Sequence, residues 1–360
     1  MKRTLTGLLG ILALVCCLTA GAGASAASSA FGKLIPVSTG WLPEHETFLI
    51  WYAKQQGWDH QEGLDIRLVW FESGKDLIAG ADTWNIGACS AFSILTEPHP
   101  EKVTIIGIGN DESLANAVMV RRDNPILKVK GFNDGYPNLY GHPADVKGKT
   151  VLCPAASSAQ YLLTKWLSAY GLTPKDVRVV NTDAEQGLRD FVNGAGDAVV
   201  LWAPYSYSGD EHGLKVAATS RSVNARQPIL LMADRAFAET NREAVAAFLR
   251  VYLRAVRMLR EESVANLSES YKTFYKEWAG KDMTDAEVIK DITIHPVFTL
   301  DDQLRLFDAS KGRSEIQTWL EAIIRFHEGP DAPQTKIDTL LDLVTDTFLK
   351  DVKRPIPDYR

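Results

Sequence analysis

The sequence has few cysteines, no excess of basic charge and no long apolar run beyond its first two dozen residues. Four cysteines among 360 residues are too few for a disulfide scaffold. Lysine and arginine number 39 against 45 aspartates and glutamates, so no nucleic-acid partner is expected. The content of 46% hydrophobic and 23% charged residues is typical of a folded globular chain, here long enough for two domains.

Motifs of the common enzyme classes are missing as well. The chain contains no H-E-x-x-H and no G-x-S-x-G, and its seven histidines are scattered. Gly148-Lys149-Thr150 resembles the end of a phosphate-binding loop, but Pro143 stands where the first glycine of that loop belongs. We therefore expect that the protein is not an enzyme, with no catalytic residues, no metal and no cofactor.

The N-terminus has the layout of a secretory signal peptide. Lys2 and Arg3 precede the uncharged run Leu5–Leu18, which at 14 residues is shorter than the roughly 20 needed to span a bilayer. Small residues follow, so we expect residues 1–26 to be a signal peptide that is cleaved after Ala26. Acylation of Cys17 is the lipoprotein alternative, disfavoured because the preceding residue is not small. Cleavage after Ala26 changes the formal net charge from −6 to −8.

Two stretches of the remaining chain follow the same order of strands and helices. The first runs from a strand at Lys33–Thr39, through a helix ended by Gly57, to the apolar run Trp84–Cys89. The second runs from Lys149–Cys153, through a helix ended by Gly171, to Asp197–Trp202. Short apolar runs between helices are typical of buried parallel strands, so the pattern predicts two α/β lobes with a cleft between them.

The segments between and after the repeats complete the predicted organisation. Ala117–Val120 and Ile229–Met232 each read as a strand, and near them the chain crosses between the lobes at two hinges. We assign residues 31–120 and 228–360 to lobe one and residues 121–227 to lobe two. From Ala244 onward the apolar spacing predicts helices that cover the sheet of lobe one. Asn124–Pro143 is predicted to be a surface loop of unassigned role.

The phrases A-K-Q-Q-G-W-D-H-Q-E-G-L-D-I from Ala53, W-N-I-G-A-C-S from Trp84 and A-D-V-K-G-K-T-V from Ala144 resemble a known family. It comprises the periplasmic substrate-binding proteins of ABC transporters of the nitrate, sulfonate and taurine type. The resemblance covers about residues 33–348, and Lys130–Pro143 departs from the short link that the family usually has. It implies a type II-like periplasmic-binding-protein fold, in which each lobe is a mixed, mostly parallel sheet with helices on both faces.

Candidate ligand-binding residues follow from the loops at the carboxyl ends of the strands, where ligands of α/β sheets bind. Small and hydroxyl residues let the backbone approach a ligand closely or hold an anion at a helix N-terminus. Aromatic rings can pack on an organic group of the ligand, and acidic side chains can bind a cationic group. Glu44 and Glu112 are further acidic candidates. The predicted set is Trp41, Glu46, Ser73, Gly74, Cys89, Ser90, Asp111, Ser157, Ser158, Ala159, Asp183, Trp202 and Tyr205.

The function implied is that of a periplasmic, monomeric binding protein that closes on a small organic anion or zwitterion such as a sulfonate or taurine. Its partners would be that ligand and the permease and ATPase subunits of an importer in the inner membrane. Three alternatives stay open: a binder of a nitrogen heterocycle such as a thiamine precursor, an enzyme on the same scaffold, and a periplasmic sensor. Cys89 and Cys153 are expected to be two buried thiols, with a disulfide between them as the alternative.

Overall fold

A computed structural model describes residues 33–95, 100–155, 157–329, 331–352 and 355–360. The predicted signal peptide and its cysteines lie outside the described residues. Residues 34–360 form one compact unit that contains two five-stranded sheets. In the described part of the chain, no helix has the length and apolar character needed to cross a membrane.

Sheet one is built from the first repeat and has the strand order β2-β1-β3-β10-β4. β1 pairs in parallel with β2 and β3, whereas β10 runs antiparallel to β3 and β4. The side chains of β4 and most of those of β10 are buried. The strands of sheet one are β1 Ile35–Trp41, β2 Leu64–Trp70, β3 Ile86–Ser90, β4 Val103–Asp111 and β10 Pro228–Asp234.

Sheet two is built from the second repeat and has the strand order β7-β6-β8-β5-β9. β6 pairs in parallel with β7 and β8, whereas β5 runs antiparallel to β8 and β9. In each sheet, four strands therefore run in one direction and the fourth in order runs against them, which confirms two mixed, mostly parallel sheets. The strands of sheet two are β5 Ala117–Val120, β6 Thr150–Cys153, β7 Arg178–Asn181, β8 Ala198–Leu201 and β9 Lys215–Thr219.

The assignment of Ala117–Val120 to lobe one is wrong. This strand, β5, follows β4 of sheet one along the chain, yet it pairs with β8 and β9 in sheet two. The apolar sequence A-V-M-V is buried in either sheet, so its pattern carries no information about its partners. The chain crosses between the sheets at residues 112–116, which we name crossover one, and at residues 220–227, crossover two.

Helices surround both sheets, and the long C-terminal ones lie on the side of sheet one. α10 is buried along most of its length and packs on α1 and α16. The helices are α1 His45–Gln55, α2 Trp58–Gln61, α3 Gly74–Ala79, α4 Ala91–Leu95, α5 Pro143–Val146, α6 Ser158–Ala169, α7 Ala184–Val192, α8 Tyr205–Glu211, α9 Arg235–Thr240, α10 Arg242–Glu261, α11 Val264–Ala279, α12 Asp285–Ile294, α13 Leu300–Phe307, α14 Glu315–Glu328, α15 Gln334–Leu341 and α16 Thr347–Asp351. Short 3₁₀ turns are Ala81–Thr83, Pro100–Lys102, Glu112–Leu114, Pro125–Lys128, Pro174–Asp176 and Arg221–Val223.

Two open questions of the sequence are answered by the fold. Cys89 and Cys153 are both buried, one in each sheet, and no disulfide joins them. The Asn124–Pro143 segment is anchored on α6, because its Phe132 ring stacks on Tyr170 with the ring centres 5.5 Å apart. The Tyr170 hydroxyl also donates to a backbone carbonyl of the segment, so this loop packs on lobe two.

Candidate functional site

Asp111 joins the two crossovers at the end of β4. Its carboxylate accepts hydrogen bonds from the Ser113 backbone N–H at 2.9 Å and from the Arg226 guanidinium at 3.0 Å. The side chain is 1% exposed. These bonds link crossover one to crossover two, and the role of Asp111 as a ligand contact stays a prediction.

The N-terminus of α6 meets both crossovers. Ser158 donates from its hydroxyl to Asn116 Oδ1 at 3.0 Å, and its backbone carbonyl accepts from Gln227 Nε2 at 3.4 Å. Ser157 caps the helix, with its hydroxyl oxygen 3.4 Å from the Gln160 N–H, and Ala159 is fully buried. The structure thus brings the predicted serines to the junction of the lobes, together with Asn116 and Gln227, which the sequence analysis missed.

Three glutamates lie close to one another beside the start of α1. Glu44 precedes the helix and Glu46 belongs to its first turn, whereas Glu112 comes from crossover one. Burial raises the pKa of Glu112 to about 8, and the charge of Glu44 adds to the rise. Burial also raises the pKa of Glu46 well above its usual value, and Glu44 and Glu112 raise it further. Burial and mutual repulsion therefore favour the protonated, neutral forms of these carboxyls.

Asp291, on α12, is the acceptor at the centre of an adjoining buried cluster. The hydroxyls of Tyr271 and Tyr275 donate to its Oδ2 at 2.6 and 2.8 Å, and Tyr207 donates to its Oδ1. His295 Nδ1 lies 3.3 Å from Oδ1. Burial alone would raise the pKa of Asp291, but the charge and hydrogen bond of His295 hold it well below its usual range.

The hydrogen bonds around Asp291 fix the state of two histidines. Burial lowers the pKa of His295, but the Asp291 carboxylate outweighs it and raises that pKa to about 9. The Tyr271 hydroxyl donates its proton to Asp291, so the Tyr271 oxygen accepts a hydrogen bond from His45 Nδ1 at 2.6 Å. Burial, aided by the charge of His295, lowers the pKa of His45 to about 3. His45 is therefore neutral, with its proton on Nδ1 and a lone pair on Nε2.

The residues His45, Asp291 and His295 offer ligand atoms within 4.8 Å of one another, as a metal ion would require. Their present arrangement nevertheless suits hydrogen bonding better than metal ligation. Asp291 already accepts from three tyrosines and His295. The two imidazole rings are stacked with an angle of 16° between their planes, so their in-plane lone pairs do not converge on one point.

The predicted residues of lobe one have structural partners. Trp41 does not face the cleft as expected: it is fully buried, and its ring is stacked on Tyr252 with the centres 6.2 Å apart. It lies at the end of a strand under α10, where burial overrides the loop position inferred from its neighbours. Ser73 caps α3, and a Cβ on Gly74 would clash with Ser93. Cys89 is fully buried and Ser90 half-buried at the end of β3.

The predicted residues of lobe two lie at the ends of β7 and β8. Asp183 is exposed and caps α7 by accepting from the Gln186 N–H at 2.7 Å. Trp202 and Tyr205 are half-buried and pack edge to face with ring centres 6.1 Å apart. Tyr205 also lines a pocket of about 390 Å³ with Arg189 and His212. The structure thus brings Trp202 and Tyr205 together in lobe two.

Comparisons with known proteins agree with this architecture. The sequence profile of the NMT1-like family matches residues 34–273. An ABC transporter periplasmic binding protein of Brachyspira hyodysenteriae is 26% identical over 265 residues, covering 73% of this chain and 76% of the relative. An aliphatic sulfonates-binding protein of Bacillus subtilis is 26% identical over 292 residues, covering 78% and 83%.

A solved structure shows the same fold. The periplasmic aliphatic sulphonate binding protein SsuA of Escherichia coli superposes with a TM-score of 0.66 at 16% identity, covering 85% of this chain and 96% of that one. At this identity the likeness establishes the fold alone. The expected two-lobed periplasmic-binding-protein fold is therefore confirmed.

Proposed function

Because this chain belongs to the NMT1-like family, we propose that it is the solute-binding component of an ABC importer. It captures a small organic anion or zwitterion of the sulfonate or taurine kind and delivers it to the permease and ATPase subunits in the inner membrane. It acts as a monomer in the periplasm after cleavage behind Ala26, and it performs no chemistry on its ligand. The names of its relatives in Brachyspira and Bacillus support this assignment.

The observation that carries the proposal is the position of the α6 N-terminus between the two crossovers. Ser158 contacts Asn116 of crossover one and Gln227 of crossover two. Free N–H groups and the positive end of the helix dipole favour an anion at such a terminus without any arginine. A sulfonate held there would touch lobe two and both connecting segments at once.

Binding at this junction is coupled to hinge closure. In the described part of the chain, two short segments join the sheets, so rotation about them changes the distance between the lobes. A ligand that contacts both lobes binds the closed state better than the open one and shifts the population toward it. The permease then recognises the closed form, which explains how binding becomes a signal for delivery.

Titration of the purified mature protein tests the assignment. The panel contains taurine, ethanesulfonate, nitrate, an aminopyrimidine and a neutral sugar. Binding of each solute is measured by isothermal calorimetry, tryptophan fluorescence and small-angle scattering. We expect a sulfonate or zwitterion to bind and to reduce the radius of gyration, and Ser158→Ala to weaken that binding. If every sulfonate, zwitterion and small anion leaves all three signals unchanged, the proposed ligand class is wrong; selective binding of the aminopyrimidine would favour the heterocycle alternative.

A further inference from the structure

The three glutamates beside α1 face little opposite charge from the described residues around them. The opposing charge that acts on Glu44 and Glu112 is that of His295. His295 is itself paired with Asp291, so its charge is already balanced. Glu46 is fully buried, and neither of its carboxyl oxygens receives a hydrogen bond from a described donor. The buried Glu46 carboxyl is thus left without a hydrogen-bond partner among the described residues.

His45 supplies an independent sign of a missing partner. It stands between Glu44 and Glu46 in the chain, is 1% exposed, and its Nε2 has no hydrogen-bond partner among the described residues. The bond from Nδ1 to Tyr271 leaves Nε2 as an acceptor. The His45 ring stacks on His295, whose charge acts on Glu44, so the ring belongs to the same cluster. An unpaired buried acceptor is costly unless a donor arrives.

We propose that Glu44, Glu46 and Glu112, with His45 Nε2 as a neighbouring neutral acceptor, form the subsite for a cationic N–H donor of the ligand, a primary ammonium or an amidinium. This inference rests on the proposed function and deepens it. A cation that binds here displaces the protons of these carboxyls, and the resulting carboxylates, like the imidazole lone pair, only accept hydrogen bonds. The group that replaces those protons must therefore donate several hydrogen bonds and carry positive charge. Because the site is shielded from water, the attraction between the cation of the ligand and these carboxylates is stronger there than on the protein surface.

The position of the subsite relates it to the α6 N-terminus. Asn116 bonds to Ser158 of α6 and donates from Nδ2 to the Glu112 carbonyl at 3.3 Å. Crossover one therefore contacts the N-terminus of α6 through Asn116 and contributes Glu112 to the glutamate cluster. A short zwitterion would place its anion at α6 and its ammonium at the glutamates, which closes the two lobes on opposite ends of one molecule.

A pair of solutes that differ only at the cationic group tests this subsite. Taurine and isethionate share the sulfonate, and isethionate carries a hydroxyl where taurine carries an ammonium. We expect calorimetry to show taurine binding about 10- to 100-fold tighter, as for a charged hydrogen bond in a desolvated site. Ethylammonium and an aminopyrimidine complete the set, since they carry the donor without the sulfonate.

The variant Glu46→Gln should abolish the preference for taurine over isethionate, with Glu239→Gln on the exposed end of α9 as the matched control. Retained isethionate binding shows that the variant is folded, and Glu112→Gln provides a second, less buried change. Equal binding of taurine and isethionate by the native protein, or an unchanged preference in both variants, overturns the subsite but leaves the transport function standing. Binding of ethylammonium or the aminopyrimidine alone, lost in Glu46→Gln, supports the subsite and overturns the sulfonate assignment. No binding of any solute refutes both proposals.

Discussion

Tyr207 in lobe two donates its phenolic proton to Asp291, which lies on α12 beside lobe one. α8, which carries Tyr207, follows the strand β8, and its Asp210 forms an ion pair with Lys290 of α12. The C-terminal helices therefore hold lobe two through a second set of contacts, in addition to the crossovers. This contact has to loosen whenever the lobes separate.

Replacing Tyr207 by phenylalanine removes this interlobe hydrogen bond while keeping the ring. We expect the free energy of unfolding to fall by about 1.5–3 kcal/mol, because a hydrogen bond to a buried charged acceptor is lost. Asp291 keeps Tyr271 and Tyr275 as donors, so the protein should still fold. Urea unfolding followed by circular dichroism measures the change.

The matched control is Tyr359→Phe, which removes the hydroxyl of a half-buried ring near the C-terminus. It should change the free energy of unfolding by less than about 0.5 kcal/mol, as surface substitutions usually do. Equal stability of Tyr207→Phe and this control would show that the contact with Asp291 contributes nothing.

Glu112→Gln should make the stability of the protein less sensitive to rising pH. Burial raises the pKa of Glu112 to about 8, above the 4.5 of an ordinary glutamate. Between these values the folded form holds a proton that the unfolded form has released, so stability falls as pH rises. The variant lacks this loss and should gain about 1–3 kcal/mol relative to native protein at pH 8 compared with pH 5. Urea titrations of the native protein and the variant at pH 5 and pH 8 measure this change. If the stability difference between the two proteins is the same at both pH values, the raised pKa of Glu112 is contradicted.

The repeated units could be predicted from the sequence because the apolar strands and the helix-ending glycines are local signals. Gly57 and Gly171 both adopt positive φ at the ends of equivalent helices. The pairing of β5 could not be predicted, since a strand buried in either sheet has the same pattern. The hydrogen bonds, not the composition, decide that it joins β8 and β9.

The candidate site was predictable only in part. Glu46 and Ser158 follow predicted strands, and the structure places both near the junction of the lobes. Asp291 lies in α12 and His295 directly after it, far along the chain from α1, where a single sequence offers no signal of contact. Trp41 shows the opposite error: a tryptophan next to a loop looks available for ligand, but the packing of α10 buries it.

We expect cleavage of the proposed signal peptide to give a mature chain that begins at Ala27. Expression with the native N-terminus in a Gram-negative host, osmotic-shock extraction and intact mass measurement should find this form in the periplasm. The Cys17→Ala variant is the control, because it should be processed in the same way. A lipid-modified mass beginning at Cys17 would support the lipoprotein alternative, and an uncleaved mass would contradict the export prediction.

The two stacked histidines should titrate far apart in pH. His45 has a pKa lowered to about 3 by burial and by the charge of His295, so its imidazole stays neutral, with the proton on Nδ1, from pH 5 to pH 8. His295 has a pKa raised to about 9 by Asp291 against the effect of burial, so it stays protonated over most of that range. Its contribution to stability is present below the unfolded pKa of 6.5 and is lost as pH rises through about 9.

Long-range ¹H–¹⁵N spectra distinguish the tautomers of the two histidines directly. In Asp291→Asn the pKa of His295 should fall well below about 9, since burial is then opposed only by Glu112 and the backbone carbonyl of residue 291, and a His295 that still titrates near 9 would show that Asp291 is not its counter-ion.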